Sequence, residues 1–275
     1  MLAAVMLAGI LLFPAACGKK EDAADPQPAK TAQKLICGVT LNEPMNYTDQ
    51  NGKWTGFDTD FAQLVGDKLG MEVVFQEIDW AQKYNELESG AITCIWNGFI
   101  AEAFEPDGTP RAQLVDFSYS YMLNQQCVVV KADRAGEFTS TADANGKAAA
   151  AEKGSAGETA ALDIVGENGT VLDVPAQINA FAEVKSGAVD CAVVDILLAR
   201  RVAGNGDFSD LAIADVALES ELYAVGFKKG DTLRDSVNNA IKELYDAGTL
   251  MELAGRYGLE NSLILDTMFG LSTKQ

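Results

Sequence analysis

Strand and helix patterns alternate along this chain. That alternation predicts an α/β protein of two lobes, each a mostly parallel sheet with helices on its faces. Three observations carry the prediction. A first β-α-β-α-β unit runs from Leu35 to Trp96. The composition then shifts at Ala135 to Gly157, rich in Ala, Gly, Lys and Glu, and a second alternating unit follows. At 275 residues and 48% hydrophobic, the chain can bury one large core or two modest ones.

The elements follow in order. Leu35 to Leu41 is a short apolar run ending in polar turn residues. Gly56-Phe57-Asp58-Thr59-Asp60 opens a helix whose apolar stripe is Phe57, Phe61, Leu64, Val65 and Leu69. Acidic residues at its start, Lys68 near its end and Gly70 beyond suit the helix dipole and a glycine C-cap. Met71 to Phe75 reads as a strand, Tyr84 to Ser89 as a short helix stopped by Gly90, and Ala91 to Trp96 as the next strand. A glycine turn follows it, and Cys127 to Val130 is another apolar strand. In the second unit Val171 to Val174 is a strand, Ile178 to Ser186 a helix, and Val189 to Asp195 a buried strand ending in a carboxylate. Leu222 to Phe227 is a further strand. Leu233 to Ala247 is a helix stopped by Gly248, and a last helix starts at Thr249 with Glu252 completing a capping box.

Composition narrows the chemistry. The chain has no histidine, which removes Ser-His-Asp and Cys-His nucleophile pairs and histidine metal sites. Carboxylate, lysine and tyrosine catalysis remain open. A net charge of −19 with no basic cluster argues against nucleic acid as a partner. Cys37, Cys94, Cys127 and Cys191 sit in apolar, strand-like runs without disulfide-scaffold or metal-site spacing and read as buried small hydrophobes. No metal and no cofactor is expected.

Met1 to Ala16 is almost wholly apolar, too short to span a bilayer, and resembles the core of a secretion signal. Small residues before Cys17-Gly18 resemble a bacterial lipoprotein cleavage site, which implies a lipidated Cys17 at the mature N-terminus. No lysine or arginine precedes the run, and Pro14 stands where lipoproteins usually carry leucine. Residues 17–34 then read as the lipidated cysteine and a flexible tether rich in Ala, Asp, Pro, Gln and Lys.

The stretch Trp96 to Val130 carries a lone cation, Arg111, six residues before Phe117. A fixed guanidinium near strand ends suits a carboxylate held through two parallel hydrogen bonds. A surface arginine paired with Glu105, Asp107 or Asp116 is the alternative.

From Leu35 to Gly258 the chain resembles the extracytoplasmic solute-binding proteins of ATP-driven amino-acid importers (family 3, the polar amino-acid branch). The resemblance rests on Gly56-Phe57-Asp58-Thr59-Asp60, Leu69-Gly70, Glu77-Ile78-Asp79-Trp80, Trp96-Asn97-Gly98-Phe99 and Asp116 to Tyr121. It continues through Gly154-Ser155, Gly187 to Asp195, Gly226 to Asp231, Val237-Asn238 and Gly248-Thr249. Each motif alone is weak; their shared order is specific.

The resemblance implies a type II periplasmic-binding-protein fold, two lobes joined by two hinge strands with a ligand cleft between. Lobe 1 would be 35–126 with 226–275 and lobe 2 would be 127–225, with hinges at Gln126-Cys127-Val128 and Ala224-Val225-Gly226. It implies a monomer, anchored outside the cytoplasm, that captures a free α-amino acid and hands it to a membrane permease.

Carried over, Arg111 is the carboxylate clamp, Ser155 with Ala156 behind it adds donors to the same carboxylate, and Asp195 takes the ammonium. Ser155 also suits a simple helix N-cap and Asp195 a structural ion pair. Either Asn42 or Glu43 offers a side chain after the first strand. Trp80 packs on the ligand side chain or in the core, and Asn97 and Gly98 line the lobe 1 wall. Tyr47 and Trp96 read as core. Trp80, Val194 and Asn97 favour an uncharged or polar ligand side chain over a strongly basic one.

Two departures stand out. Ile100 replaces the threonine that commonly precedes the clamp. Ala101 to Pro110 is an insertion of about six residues that either hangs outward or swings Arg111 from the cleft. Dehydratases and the front half of murein-cleaving transglycosylases resemble this fold too, so a periplasmic enzyme is the alternative. A ligand sensor for a membrane receptor is another.

Overall fold

In a computed structural model, residues 33–266 are described. The signal, Cys17 and tether expectations lie almost wholly outside those residues. A single mixed sheet of eleven strands runs through the fold. Its path is Glu72–Glu77, Lys34–Val39, Cys94–Ile100, Ser220–Phe227, Ser120–Lys131, Cys191–Asp195, Ala148–Glu152 and Thr170–Val174. Lys34–Val39 is parallel to both of its neighbours, and Ala148–Glu152 is parallel to both of its own. The two strands in the middle of the path run antiparallel to their partners.

Each half of this sheet buries its own apolar residues. The helix Phe57–Leu69 turns Phe57, Phe61 and Val65, four residues apart, into the first core, and Gly70 ends it in a left-handed conformation (φ 65°). There the Phe61 ring meets Trp96 edge-on at 5.1 Å and Tyr121 at 5.2 Å. Trp96 is therefore core, as its sequence setting suggests. Across the sheet, Phe181, Val184, Val194 and Leu198 pack together in the second half. The four cysteines are buried free thiols.

Ser120–Lys131 joins the halves. Met122 to Gln125 pair with Tyr223 to Ser220, whereas Gln126 to Val129 pair with Asp195 to Ala192. The chain thus changes partners between Gln125 and Gln126, one residue before the expected hinge. The return crossing differs more. Leu211–Ile213 pairs in the second half, while Ser220–Phe227 pairs with Ser120–Lys131 and Cys94–Ile100 in the first. Ala224, Val225 and Gly226 are thus inside the first sheet, and the chain crosses in the segment 214–219. Gly226 serves packing there: a Cβ on it would lie 2.7 Å from the Phe99 ring.

Three local readings are corrected. The strand expected to end at Trp96 runs on to Ile100, so Asn97 and Gly98 belong to it rather than to a turn. Ala148–Glu152 is a strand that composition concealed. The last helix, Thr249–Tyr257, has Gly248 as its N-cap and no side-chain cap, so the Thr249–Glu252 capping box does not form.

Candidate functional site

A cleft between the two halves is lined from the first by Trp80, Asn97, Gly98, Ile100 and Arg111, and from the second by Glu152, Ser155, Ala156, Gly157, Gln177 and Asp195. Gln126, on the crossing strand, lines it as well. The cleft is shut down to about 10 Å³ of room, close to one water.

Arg111 opens a four-residue helical turn after Pro110 and is 1% exposed. Its Nε donates to Glu105 Oε1 at 2.9 Å, Nη1 to the Ile100 carbonyl at 3.4 Å, and Nη2 across the cleft to the Gly154 carbonyl at 3.2 Å. Its guanidinium also lies 5.0 Å from the Phe99 ring centre. The 101–110 insertion leaves Arg111 in the cleft, while Phe104 and the tip Pro106 to Gly108 face solvent. It folds back on itself through Glu105 N–H to the Thr109 carbonyl (2.9 Å) and a Phe104–Pro110 bridge, and turns Glu105 inward.

Glu105 serves more than one cation. Its carboxylate accepts from Tyr84 Oη at 2.6 Å and lies 3.6 Å from Lys83 Nζ. Burial alone would raise its pKa, but the Arg111 and Lys83 charges hold it below the usual range. Lys83, 1% exposed, donates to the Gly154 carbonyl at 2.8 Å. Burial, reinforced by the Arg111 charge and opposed by Glu105 and Glu152, pushes its ammonium down to about 8.

Asp195 ends the strand Cys191–Asp195 and is 3% exposed. Four amides surround its carboxylate. Asn124 Nδ2 and Gln126 Nε2 donate to Oδ1, each at 2.7 Å, and Gln177 Nε2 donates to Oδ2 at 2.6 Å. The fourth, Asn42 Nδ2, reaches Oδ2 from the first half at 3.4 Å. This saturates the acceptor capacity of the group without a counter-charge. Asn124 and Gln126 also donate to Glu221 Oε2, at 3.2 and 3.0 Å. Burial, with the Asp195 charge adding to it, pushes Glu221 up to about 7.

Between Asn42 and Glu43 the geometry distinguishes. The Asn42 carbonyl accepts the N–H groups of Met45 and Asn46 in a tight reversal that leaves Asn42 buried and Glu43 exposed to solvent. Ser155 caps the helix Ala156–Val165, its Oγ accepting from Glu158 N–H at 3.1 Å, with its side chain still on the cleft wall. Asn97 lines the cleft, but its amide is spent on Thr40, accepting the Thr40 N–H at 3.0 Å and donating to its Oγ1 at 2.7 Å. Trp80 packs edge-on against Phe99 and lies 5.2 Å from Lys83 Nζ.

Gly98 has φ 59°, and a Cβ there would lie 2.9 Å from the Tyr223 ring. Its N–H donates at 2.7 Å to the fully buried carboxylate of Asp58, which Tyr121 Oη also reaches at 2.8 and 2.9 Å. Burial pushes Asp58 up to about 7, against both of those hydrogen bonds.

Sequence reasoning named Glu105 only as a surface partner of Arg111 and Gln126 only as a hinge residue, and it passed over Lys83, Glu152 and Gln177. Gln126 was legible as the residue at the change of partner strand. Lys83, opening a helix after the 3-10 turn Trp80–Gln82, and Gln177, opening one after the strand Thr170–Val174, carried no other signal. Among the described residues no group of three or more Cys, Asp or Glu side chains is placed to hold a metal ion. No helix there is long and apolar enough to cross a membrane.

The sequence profile of the bacterial extracellular solute-binding proteins, family 3, matches residues 35–260. The chain belongs to this family. Like other family 3 proteins it has the two-lobed type II fold of substrate-binding components. The arginine-binding extracellular protein ArtP of Bacillus subtilis (strain 168) is 27% identical over 246 residues, 88% of this chain and 91% of its own. A Streptococcus pneumoniae substrate-binding protein of an ABC uptake transporter, solved with bound histidine, matches at 32% identity and a TM-score of 0.71. That match covers 82% of this chain and 92% of its own. An ancestral amino acid-binding protein, a precursor of cyclohexadienyl dehydratase, matches at 28% identity and a TM-score of 0.72, covering 82% and 95%. Family membership makes this an extracytoplasmic solute-binding protein.

Proposed function

We propose that this family 3 protein captures a free α-amino acid in the cleft and delivers it to the permease of an ATP-driven importer. The supporting observation is that Arg111 and Asp195, both buried, line one cleft from opposite halves. The ligand carboxylate takes the Nη1 and Nη2 edge of Arg111, replacing the Ile100 and Gly154 carbonyls, because a guanidinium–carboxylate pair is the stronger bond. Ser155 and the helix start at Ala156 complement the same carboxylate. The ammonium takes Asp195, displacing Asn42, the longest of its four contacts. Trp80 packs on the ligand side chain. The room between Arg111 and Asp195 is too small for an amino acid, so the ligand reaches these two groups when the halves part about the two crossings. Contacts to both halves then favour the closed state.

Relatives bound to arginine or histidine agree with an α-amino acid as ligand. The leaning toward an uncharged or polar side chain loses two of its supports, because Val194 lies in the second core and the Asn97 amide is spent on Thr40. Lipidation of Cys17 would hold the protein, as a monomer, at the membrane beside its permease, and mass spectrometry of the mature N-terminus tests it. A permease rather than a receptor is expected to co-purify.

Thermal-shift measurements with a panel of free amino acids test the central reading. Melting should rise with at least one of them at large excess. Silence across the whole panel would overturn the proposal.

A second reading, an enzyme, has one feature in its favour: burial pushes the Lys83 ammonium down and the Glu152 carboxyl up, each to about 8, where proton transfer is effective. The dehydratase-precursor neighbour gives it a reaction to test. We expect no phenylpyruvate or phenylalanine from prephenate or arogenate, and turnover of either would reverse the assignment.

A further inference from the structure

Glu152 is the one cleft carboxylate with nothing to hold. It ends the strand Ala148–Glu152, is 3% exposed, and lines the cleft. Its Oε1 is buried without a hydrogen-bond partner, and among the described residues it forms no ion pair within 4 Å. A buried carboxyl without a partner is costly unless something supplies a donor or it carries a proton.

The groups that face it nearly balance. Asp195 on the neighbouring strand and Asp79 before the 3-10 turn Trp80–Gln82 are anions; Lys83 and Arg111 in the first half are cations. Both cations are already engaged by Glu105 and the Gly154 carbonyl, and Asp195 by its four amides. Asp173, on the strand beyond, is paired with Lys153. Among the described residues none donates a hydrogen bond to Glu152 Oε1.

We propose that Glu152 reads the ligand's side chain, accepting the N–H donors of a basic group at its unpartnered Oε1. This rests on the reading of the cleft as an amino-acid site. Two cations (Arg111, Lys83) face three anions (Glu105, Asp195 and the solvent-exposed Asp79), so a zwitterion with an uncharged side chain favours the protonated forms of Glu152 and Glu221. Burial does hold Glu152 protonated, raising its pKa to about 8, with the Asp195 charge adding to the effect and Lys83 opposing it. A cationic side chain reverses that preference. The proton leaves for bulk buffer, the carboxylate forms, and the cation sits against it. Basic ligands are thereby bound with release of a proton, and uncharged ones are not.

The test is calorimetric titration of the full chain with L-arginine and with L-glutamine, in phosphate and in Tris near pH 7, buffers of different ionisation heat. Arginine should release about one proton per molecule bound, glutamine none, and arginine affinity should rise roughly tenfold or more from pH 6 to 8. In Glu152→Gln the proton release should vanish and the ratio of arginine to glutamine affinity should fall at least about tenfold. Arginine binding without proton release, or an unchanged ratio in the variant, overturns the proposal. If neither these two nor any other free amino acid binds the wild-type chain, the amino-acid reading fails and takes this one with it. Proton release is measured on the unaltered protein, so a variant that folds poorly leaves the test intact.

Discussion

Glu105 Oε1 accepts a hydrogen bond from Arg111 Nε at 2.9 Å, so a carboxylate of the inserted loop already grips one edge of the guanidinium. The two readings of Arg111 that sequence left open, ion pair and ligand clamp, are thereby compatible. The Nε edge is held by the protein, and the Nη edge reaches only two carbonyls, Ile100 and Gly154. Glu105 acts as the orienter of the clamp and as the counter-charge of Lys83.

Removing that counter-charge leaves two buried cations. Glu105→Ala is expected to destabilise the fold by about 3–5 kcal/mol, the usual loss when one member of a buried pair is deleted. Urea denaturation at pH 7 checks it, and a change within about 0.5 kcal/mol would show that solvent, not Glu105, balances Arg111 and Lys83.

Gly98→Ala adds a Cβ against Tyr223 at a position whose φ is 59°. Strain and overlap together should cost roughly 1–3 kcal/mol of stability. Thermal denaturation of the variant reads this directly, and an unaltered melting temperature would mean that the strand relaxes around the methyl.

Stability should fall as pH rises from about 5 to 8. Asp58, Glu152 and Glu221 all have native values raised by burial, to about 7, 8 and 7. Between the unfolded and native values the folded state binds more protons, so unfolding becomes easier with each step of alkalinity. The effect is absent below the unfolded range and complete above about 8. Below about pH 4 the sign reverses, because Glu105 and Asp116 are held below their usual values and lose favourable interactions on protonation. Denaturation midpoints measured from pH 3 to 9 should peak near 5, and Glu152→Gln should flatten the alkaline side. A curve rising from pH 5 to 8 would contradict the raised values.

Lys83 and Arg111 both donate to the Gly154 carbonyl across the cleft. Lys83→Met keeps much of the apolar stem and removes one of these straps. Small-angle scattering without ligand should then report a larger radius of gyration than wild type, and equal radii would show that the straps do not hold the halves together.

Much of this was legible because glycines and apolar spacing mark elements locally. Gly70, Gly90 and Gly187 end helices where the sequence places them, each in a left-handed conformation. The family motifs also brought Arg111, Ser155 and Asp195 to one cleft. What was hidden depended on long-range contacts. Ala148 to Ala151 lies in a stretch whose composition marks no element, yet these small side chains fill a buried parallel strand, and with the strand went Glu152 at its end. Gly226 resembled a hinge because its need, room for the Phe99 ring, comes from a distant residue. Glu105 lay in an insertion whose inward fold rests on Tyr84, Lys83 and Arg111 together.

On the proposed function, Arg111 holds the ligand's α-carboxylate. A double cycle measures it: the best-binding amino acid and its α-carboxamide, each titrated into wild type and Arg111→Ala. Amidation should weaken wild-type binding by about 2–5 kcal/mol and make little further difference in the variant. Equal affinity of wild type for acid and amide would contradict the account.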